Sequence, residues 1–199
     1  MTQTYDPRTA LVVVDVQNDF ADPAGGLYVA GGEQVVAAAN AEIEAATAAG
    51  AAVLYTQDWH PPDTPHFAVN NPEGDGTWPV HCVQDTWGAA LHPELVVRGE
   101  VVRKGEHGED GYSGFTMRDP VTGENVGTPL AGRLRGHGAE RLVVLGLATD
   151  YCVRATALEG REHGWPVTVP WAAVRAVDLQ PGDGERTREE LLSADVVIA

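Results

Sequence analysis

Cys152 lies in the stretch GLATDYCV, residues 146–153, between an apolar run and a helical pattern. The run Leu142-Val143-Val144-Leu145 reads as a buried parallel strand that stops at a loop, and residues 155–159 read as a helix. Cys152 is therefore expected in the first turn of that helix, where free backbone N–H groups and the helix dipole favour a thiolate. That is a place for a nucleophile, although a free cysteine is more commonly an inert core residue. Other residues bear on the choice. Of 13 basic residues only Lys104 is a lysine, and an ammonium is compact and deprotonable where a guanidinium is neither. Asp58-Trp59-His60 is followed by His66 and His81 in one turn-rich loop, so three of the seven histidines gather beside an aspartate. Imidazoles and a carboxylate together suit a borderline divalent metal. Loops also collect histidines by chance, and the spacing alone leaves metal binding open. His92, His107, His137 and His163 are scattered and read as solvated.

The elements that must position these groups follow from the apolar pattern. A strand over 11–14 ends at Asp15. Residues 33–49 form an Ala-rich helix with Gly50 as its C-cap. A second strand, 52–56, stops just before Asp58, and a loop of Pro, Asn and Gly runs from about 59 to 83. Loops that long in a compact domain are usually functional. A strand at 100–103 ends at Lys104, and Thr128-Pro129-Leu130 opens a helix that closes at Gly136 or Gly138. After the Cys152 helix, which ends near Gly164, come a strand at 166–169, a helix at 186–193 and a last strand at 195–198. This alternation specifies a three-layer α/β sandwich: a mostly parallel, Rossmann-like sheet with helices on both faces. Residues 1–199 read as a single domain without repeats or linkers. Four strands thus lead to Asp15, Asp58, Lys104 and the loop before Cys152, and open parallel sheets bind ligands outside the carboxyl ends of their strands.

Composition removes several function classes. The formal net charge of −16 repels phosphate backbones and anionic membranes, which argues against nucleic-acid and membrane partners. No apolar run reaches the length of a membrane span, and the N-terminus lacks a signal-peptide core, so the cytoplasm is the expected compartment. Two cysteines make no disulfide framework. The strand before Val16-Gln17-Asn18-Asp19-Phe20 opens no glycine-rich turn, which removes a dinucleotide site of the Rossmann type, and no P-loop is present.

Four segments together, VVVDVQNDF, the QDWHP to WPVHC loop, RKGEHGEDGYSGF and GLATDYCVRATA, resemble in order and spacing the nicotinamidase/pyrazinamidase branch of the isochorismatase-like cysteine hydrolases. The resemblance runs from about Thr9 to Val169. It implies the isochorismatase-like hydrolase fold, with Asp15, Lys104 and Cys152 as catalytic triad. Asp58, His60, His66 and His81 would hold one divalent metal ion, zinc first, with iron or manganese as alternatives. Phe20 and Trp78 would sandwich an aromatic substrate ring. A cis bond between Leu147 and Ala148 would aim the amides of Ala148 and Cys152 as an oxyanion hole. The implied reaction is hydrolysis of nicotinamide, and of pyrazinamide, to the acid and ammonia in NAD salvage, through a Cys152 thioester whose hydrolysis the metal assists. Three departures bear on substrate range: Tyr151 where a histidine often precedes the cysteine, the apolar 170–174 stretch, and an insertion at 117–127. A related amidase acting on another small amide, an isochorismate hydrolase, and a non-catalytic metabolite-binding module are the competing readings. Homo-oligomerisation stays open, as does any role for Cys82.

Overall fold

The computed structural model describes residues 3–71 and 78–199. The part of the long loop at 72–77 therefore lies outside the described residues, as do the first two positions. Strand β1 (Thr9–Val14) is buried at all six positions. Side chains alternate between faces along a strand, so total burial means that both faces of the sheet are covered. The short helix α1 (Asn18–Ala21) and the long α2 (Gly32–Ala48) follow, and β2 (Ala52–Asp58) lies parallel to β1. Strand β3 (Glu100–Lys104) adds to β2 with Asp58 directly beside Lys104. Strands β4 (Thr116–Arg118) and β5 (Asn125–Gly127) form a separate antiparallel hairpin. Helix α3 (Leu130–Gly136) leads to β6 (Arg141–Leu147), which pairs with the other side of β1. Helix α4 (Arg154–Glu162), β7 (Val167–Val169), β8 (Val174–Arg175), α5 (Asp183–Ser193) and β9 (Val197–Ile198) complete the chain.

The main sheet runs β3-β2-β1-β6-β7-β9, with β8 also on β6, and every pairing in it is parallel. Helix α2 packs across β1, β2 and β6, α4 against β6 and β7, and α5 against β9. The apolar side of α2, with Val35, Val36, Ala39, Ile43 and Ala46, is the side it buries, as its 3.6-residue pattern requires. The three-layer architecture expected from the alternation is the one observed.

Boundaries differ where side chains extend or end an element. Strand β2 continues through Asp58 because the Gln17 side chain completes its ladder: Asp58 N donates to Gln17 Oε1 at 2.8 Å, and Gln17 Nε2 donates to the Asp58 carbonyl at 2.8 Å. Pro129 stands one position outside α3 rather than as its first helical residue, while the Thr128 hydroxyl accepts from Leu130 N at 3.1 Å. The insertion at 117–127 is largely the β4–β5 hairpin. Helix α5 begins three residues earlier than expected, at Asp183, whose carboxylate caps Gln180 N. No helix among the described residues is long and apolar enough to cross a membrane.

Candidate active site and metal centre

Four strand ends that are adjacent in the sheet bring the chemistry together. Asp15 follows the last residue of β1, Asp58 and Lys104 are the last residues of β2 and β3, and β6 delivers the chain to Cys152. Asp15 takes a positive φ of 49°, a conformation that aspartate tolerates better than most residues. Beside it β6 passes close at Gly146, where φ is 124° and a side chain would meet the Val14 carbonyl at 2.0 Å. Only glycine fits there.

Lys104 is the centre of this cluster and is almost completely buried. Its Nζ lies 2.7 Å from Asp15 Oδ2 and 2.8 Å from Asp58 Oδ1. It donates to Cys152 Sγ at 3.5 Å and to the Tyr112 carbonyl at 3.3 Å. The other Asp15 oxygen accepts from the Thr56 hydroxyl at 2.6 Å. Burial disfavours an ammonium here, but the two carboxylates outweigh it and hold the Lys104 ammonium well above its ordinary range. Burial pushes Asp15 up, opposed by Lys104 and reinforced by Asp58. Burial acts on Asp58 in the same sense, yet Lys104 and His60 prevail and hold it below the usual carboxylate range.

Cys152 differs from its sequence-based expectation. It sits within a wide turn, Thr149–Val153, that precedes α4, and Val153 N donates to the Ala148 carbonyl five residues back at 3.1 Å. Burial pushes its thiol well above the usual value, with Asp15 and Asp58 adding to the rise and Lys104 opposing it. That direction favours the thiol over the thiolate. Moving its proton out to solvent would add a second uncompensated negative charge to a buried group of two carboxylates and one ammonium. Moving the proton to Asp15 leaves the charge of the cluster unchanged. The peptide between Leu147 and Ala148 is cis.

Next to this cluster lie His60, His66 and His81, all buried, with one ring nitrogen from each within 4.8 Å of the others. Backbone pairing brings them there: His60 N donates to the Cys82 carbonyl at 3.0 Å, and Gln84 N donates to the His60 carbonyl at 2.9 Å. Asp19 fixes the same turn by accepting from Cys82 N at 2.6 Å. That bond, with the positive φ of Cys82, gives this buried cysteine a structural place at the edge of the site. Gly105 is needed beside the histidines, because at its φ of 73° a side chain would meet His60 Nδ1 at 2.6 Å. His81 donates its Nδ1 proton to the Pro79 carbonyl at 2.7 Å, and His66 donates its own to Asp110 Oδ1 at 2.8 Å. Each keeps Nε2 free. Among the described residues, both ring nitrogens of His60 are buried without a hydrogen-bond partner, which buried polar atoms rarely are. Burial lowers the His81 imidazole to about 4, which keeps it neutral, as a ligand must be. Asp58 Oδ2 lies 3.8 Å from His60 Nε2. Three imidazoles and an adjacent carboxylate fit a divalent ion.

A cleft opens onto both clusters. Phe20, Trp78, Tyr112 and Tyr151 form its aromatic walls, Ala148 and Cys152 line it, and Asp58, His66 and His81 border it. Trp78 Nε1 donates to the Tyr112 hydroxyl at 3.0 Å, and Trp78 and Tyr151 meet edge to face at 4.8 Å. Every site residue expected from the sequence is thus in or directly beneath one cleft. Gln17, Thr56, Asp110 and Tyr112 were not anticipated. Gln17, Asp110 and Tyr112 stand inside the quoted motifs, but their roles depend on partners far along the chain.

The comparisons agree with this geometry. The family model described as "Isochorismatase domain" matches residues 9–186. The nicotinamidase of Escherichia coli (strain K12) is 37% identical over 206 residues, covering 96% of this chain and 94% of its own. The crystal structure of the pyrazinamidase of Pyrococcus horikoshii in complex with zinc superimposes with a TM-score of 0.85 at 38% identity, covering 97% of this chain and 99% of that one. PnC1 from L. infantum in complex with nicotinate gives 0.86 at 34% identity, covering 100% and 96%. The chain belongs to the isochorismatase domain family and is an amidohydrolase of that family.

Proposed function

We propose that this protein is a nicotinamidase that hydrolyses nicotinamide, and pyrazinamide as an analogue, to the carboxylic acid and ammonia in a cytoplasmic NAD salvage route. The observation that carries the reading is Lys104 Nζ, 2.7 Å from Asp15 and 3.5 Å from Cys152 Sγ at the floor of an aromatic cleft. Phe20 and Trp78 offer flat surfaces for a heteroaromatic ring. Cys152 gives its proton to Asp15 as its sulfur bonds to the amide carbonyl carbon, and Lys104 stabilises the charge on the sulfur side of the pair. The amides of Ala148 and Cys152 receive the developing oxyanion. The C–N bond then breaks, Asp15 returns the proton to the departing amine, and ammonia leaves a thioester. Water hydrolyses the thioester, freeing the acid and restoring the Cys152 thiol. Asp58, His60, His66 and His81 would hold a divalent ion, zinc in the first instance, and when bound the ion supplies Lewis-acid activation of water or carbonyl.

The test is ammonia release from nicotinamide, pyrazinamide, benzamide and a set of carbamoyl and ureido compounds. Turnover of the two heteroaromatic amides well above the others is expected. Preference for a carbamoyl or ureido compound would move the protein to another amidase of the family, and no turnover of any would favour a binding module.

A further inference from the structure

The β4–β5 hairpin has no part in the main sheet, yet it is ordered from both ends. Asp119 Oδ1 accepts from Val121 N and Thr122 N at 2.8 Å each, which closes the turn. Met117 is buried, and the Thr116 hydroxyl is bonded to Glu159 of α4. The first strand of the hairpin is locked to Asp110: Asp110 N donates to the Arg118 carbonyl at 2.8 Å, and Arg118 N donates to the Asp110 carbonyl at 2.6 Å. The side chains repeat the link, with Arg118 Nη2 donating to Asp110 Oδ2 at 2.9 Å. The second oxygen of the same carboxylate accepts from His66 Nδ1 at 2.8 Å.

We propose that Asp110 is a positioning residue for His66, and that the β4–β5 hairpin, through Arg118, sets how tightly the metal centre holds its ion. This rests on the reading of His60, His66 and His81 as ligands. The three histidines are not held alike. His81 is oriented by a backbone carbonyl, and among the described residues His60 has no hydrogen-bond partner on either ring nitrogen. Among the described residues, His66 alone of the three depends on a side chain, and that side chain is gripped by the hairpin. A carboxylate behind an imidazole fixes the Nδ1–H tautomer and the ring orientation, and makes the other nitrogen a stronger donor to a metal. Arg118 in turn fixes the carboxylate and offsets its charge. The hairpin thereby gains a purpose that its distance from the reacting atoms hides.

The experiment compares wild type with Asp110→Asn, Arg118→Met, the double variant and His66→Ala, each stripped and reloaded with zinc or cobalt. Zinc affinity is read by competition with a chromophoric chelator, and ligand geometry from the cobalt absorption spectrum. Thermal unfolding of the metal-free proteins checks the fold, and if Asp110→Asn unfolds, Arg118→Met carries the comparison alone. Asp110→Asn is expected to weaken zinc binding roughly 10- to 100-fold, the usual effect of losing such an outer partner, and to alter the cobalt spectrum. Arg118→Met should weaken it less, and the double variant should match Asp110→Asn within about twofold, because the two act in series. Zinc affinity of Asp110→Asn within about twofold of wild type, while His66→Ala loses the ion, would overturn the positioning role alone. Arg118→Met weakening binding equally in both backgrounds would overturn the relay. A wild type that binds no divalent ion would overturn the metal centre itself, and this proposal with it.

Discussion

Asp15→Asn separates proton transfer from everything else Asp15 does. Asparagine accepts the positive φ of 49° as readily as aspartate, and its amide can donate to Thr56 if that hydroxyl turns round. Lys104 keeps Asp58 at 2.8 Å. The variant loses one charge-assisted hydrogen bond, worth about 1.5–3 kcal/mol, and part of that is offset because two buried carboxylates no longer share one ammonium. The unfolding free energy should therefore fall by less than about 3 kcal/mol. Turnover should fall much further. In the proposed mechanism Asp15 both takes the thiol proton and returns it to the leaving amine, and one positioned proton transfer contributes about 10²–10⁴-fold, or roughly 3–5.5 kcal/mol of barrier. The thiol moves the other way: with one neighbouring negative charge removed, Cys152 ionises more easily, so its alkylation by iodoacetamide at neutral pH should speed up. Slower turnover with faster labelling is the signature. The assay pairs ammonia release with a timed mass-spectrometric count of labelled Cys152 and a denaturant melt. Turnover within about tenfold of wild type would remove Asp15 as the proton carrier. Labelling that slows in step with turnover would mean either that alkylation also needs Asp15 as its base or that the cleft had deformed, and the denaturant melt separates the two.

In the wild-type protein, iodoacetamide should inactivate by modifying Cys152 and leave Cys82 untouched, since Cys82 is fully enclosed and Cys152 borders the cleft. Peptide mapping that found the label on Cys82 alone in inactive protein would contradict this. The purified protein should carry roughly one divalent ion per chain, as one four-ligand site requires, and His60→Ala or His81→Ala should lower occupancy and activity together by elemental analysis and ammonia release. Lys104→Arg should cost about 10²–10⁴-fold in turnover with the fold retained by circular dichroism, because a planar guanidinium would grip the Asp15 oxygen that has to accept the proton. Tyr5→Phe strips the buried Glu42 carboxylate of a 2.8 Å hydrogen bond and should cost about 1–3 kcal/mol in a urea melt. Burial and Glu42 raise the Tyr5 phenol above its ordinary range, so that contribution is present below pH ~10, and the gap to the variant closes as the pH rises beyond it.

The sequence made the strand ends legible because β1 and β6 are unbroken apolar runs, and a fully buried parallel strand has to look like that. The reactive residues at their ends could then be placed on one rim without any contact being known. Cys152 was placed in the right turn but in the wrong kind of turn: a five-residue-spaced hydrogen bond at Val153 leaves no mark on a 3.6-residue apolar pattern. Helix-dipole reasoning also leaves out burial, which pushes the Cys152 thiol up. The hairpin was visible only as extra length. Its strands have three residues each, and β5 is exposed throughout, so no alternation could declare them. Gln17 and Thr56 escaped for a different reason. Each acts across β1 and β2, on Asp58 and Asp15 respectively, and such pairs are set by register rather than by neighbours in sequence.

Asp58 is where the two halves of the site meet. One of its oxygens lies against Lys104 and the other faces His60. A cation among the histidines would draw on the same carboxylate that helps to neutralise Lys104, so the ammonium would lean further on Asp15. A stronger Lys104–Asp15 pair favours the ionised form of Asp15, the form that the proposed mechanism needs to accept the thiol proton. The proposed metal centre and the proposed base are then coupled through a single shared carboxylate. Asp58 is held on its backbone by the Gln17 side chain and by the register of β2 against β3, as such a coupling would require. A carboxylate that serves two cations has to sit at a fixed distance from both.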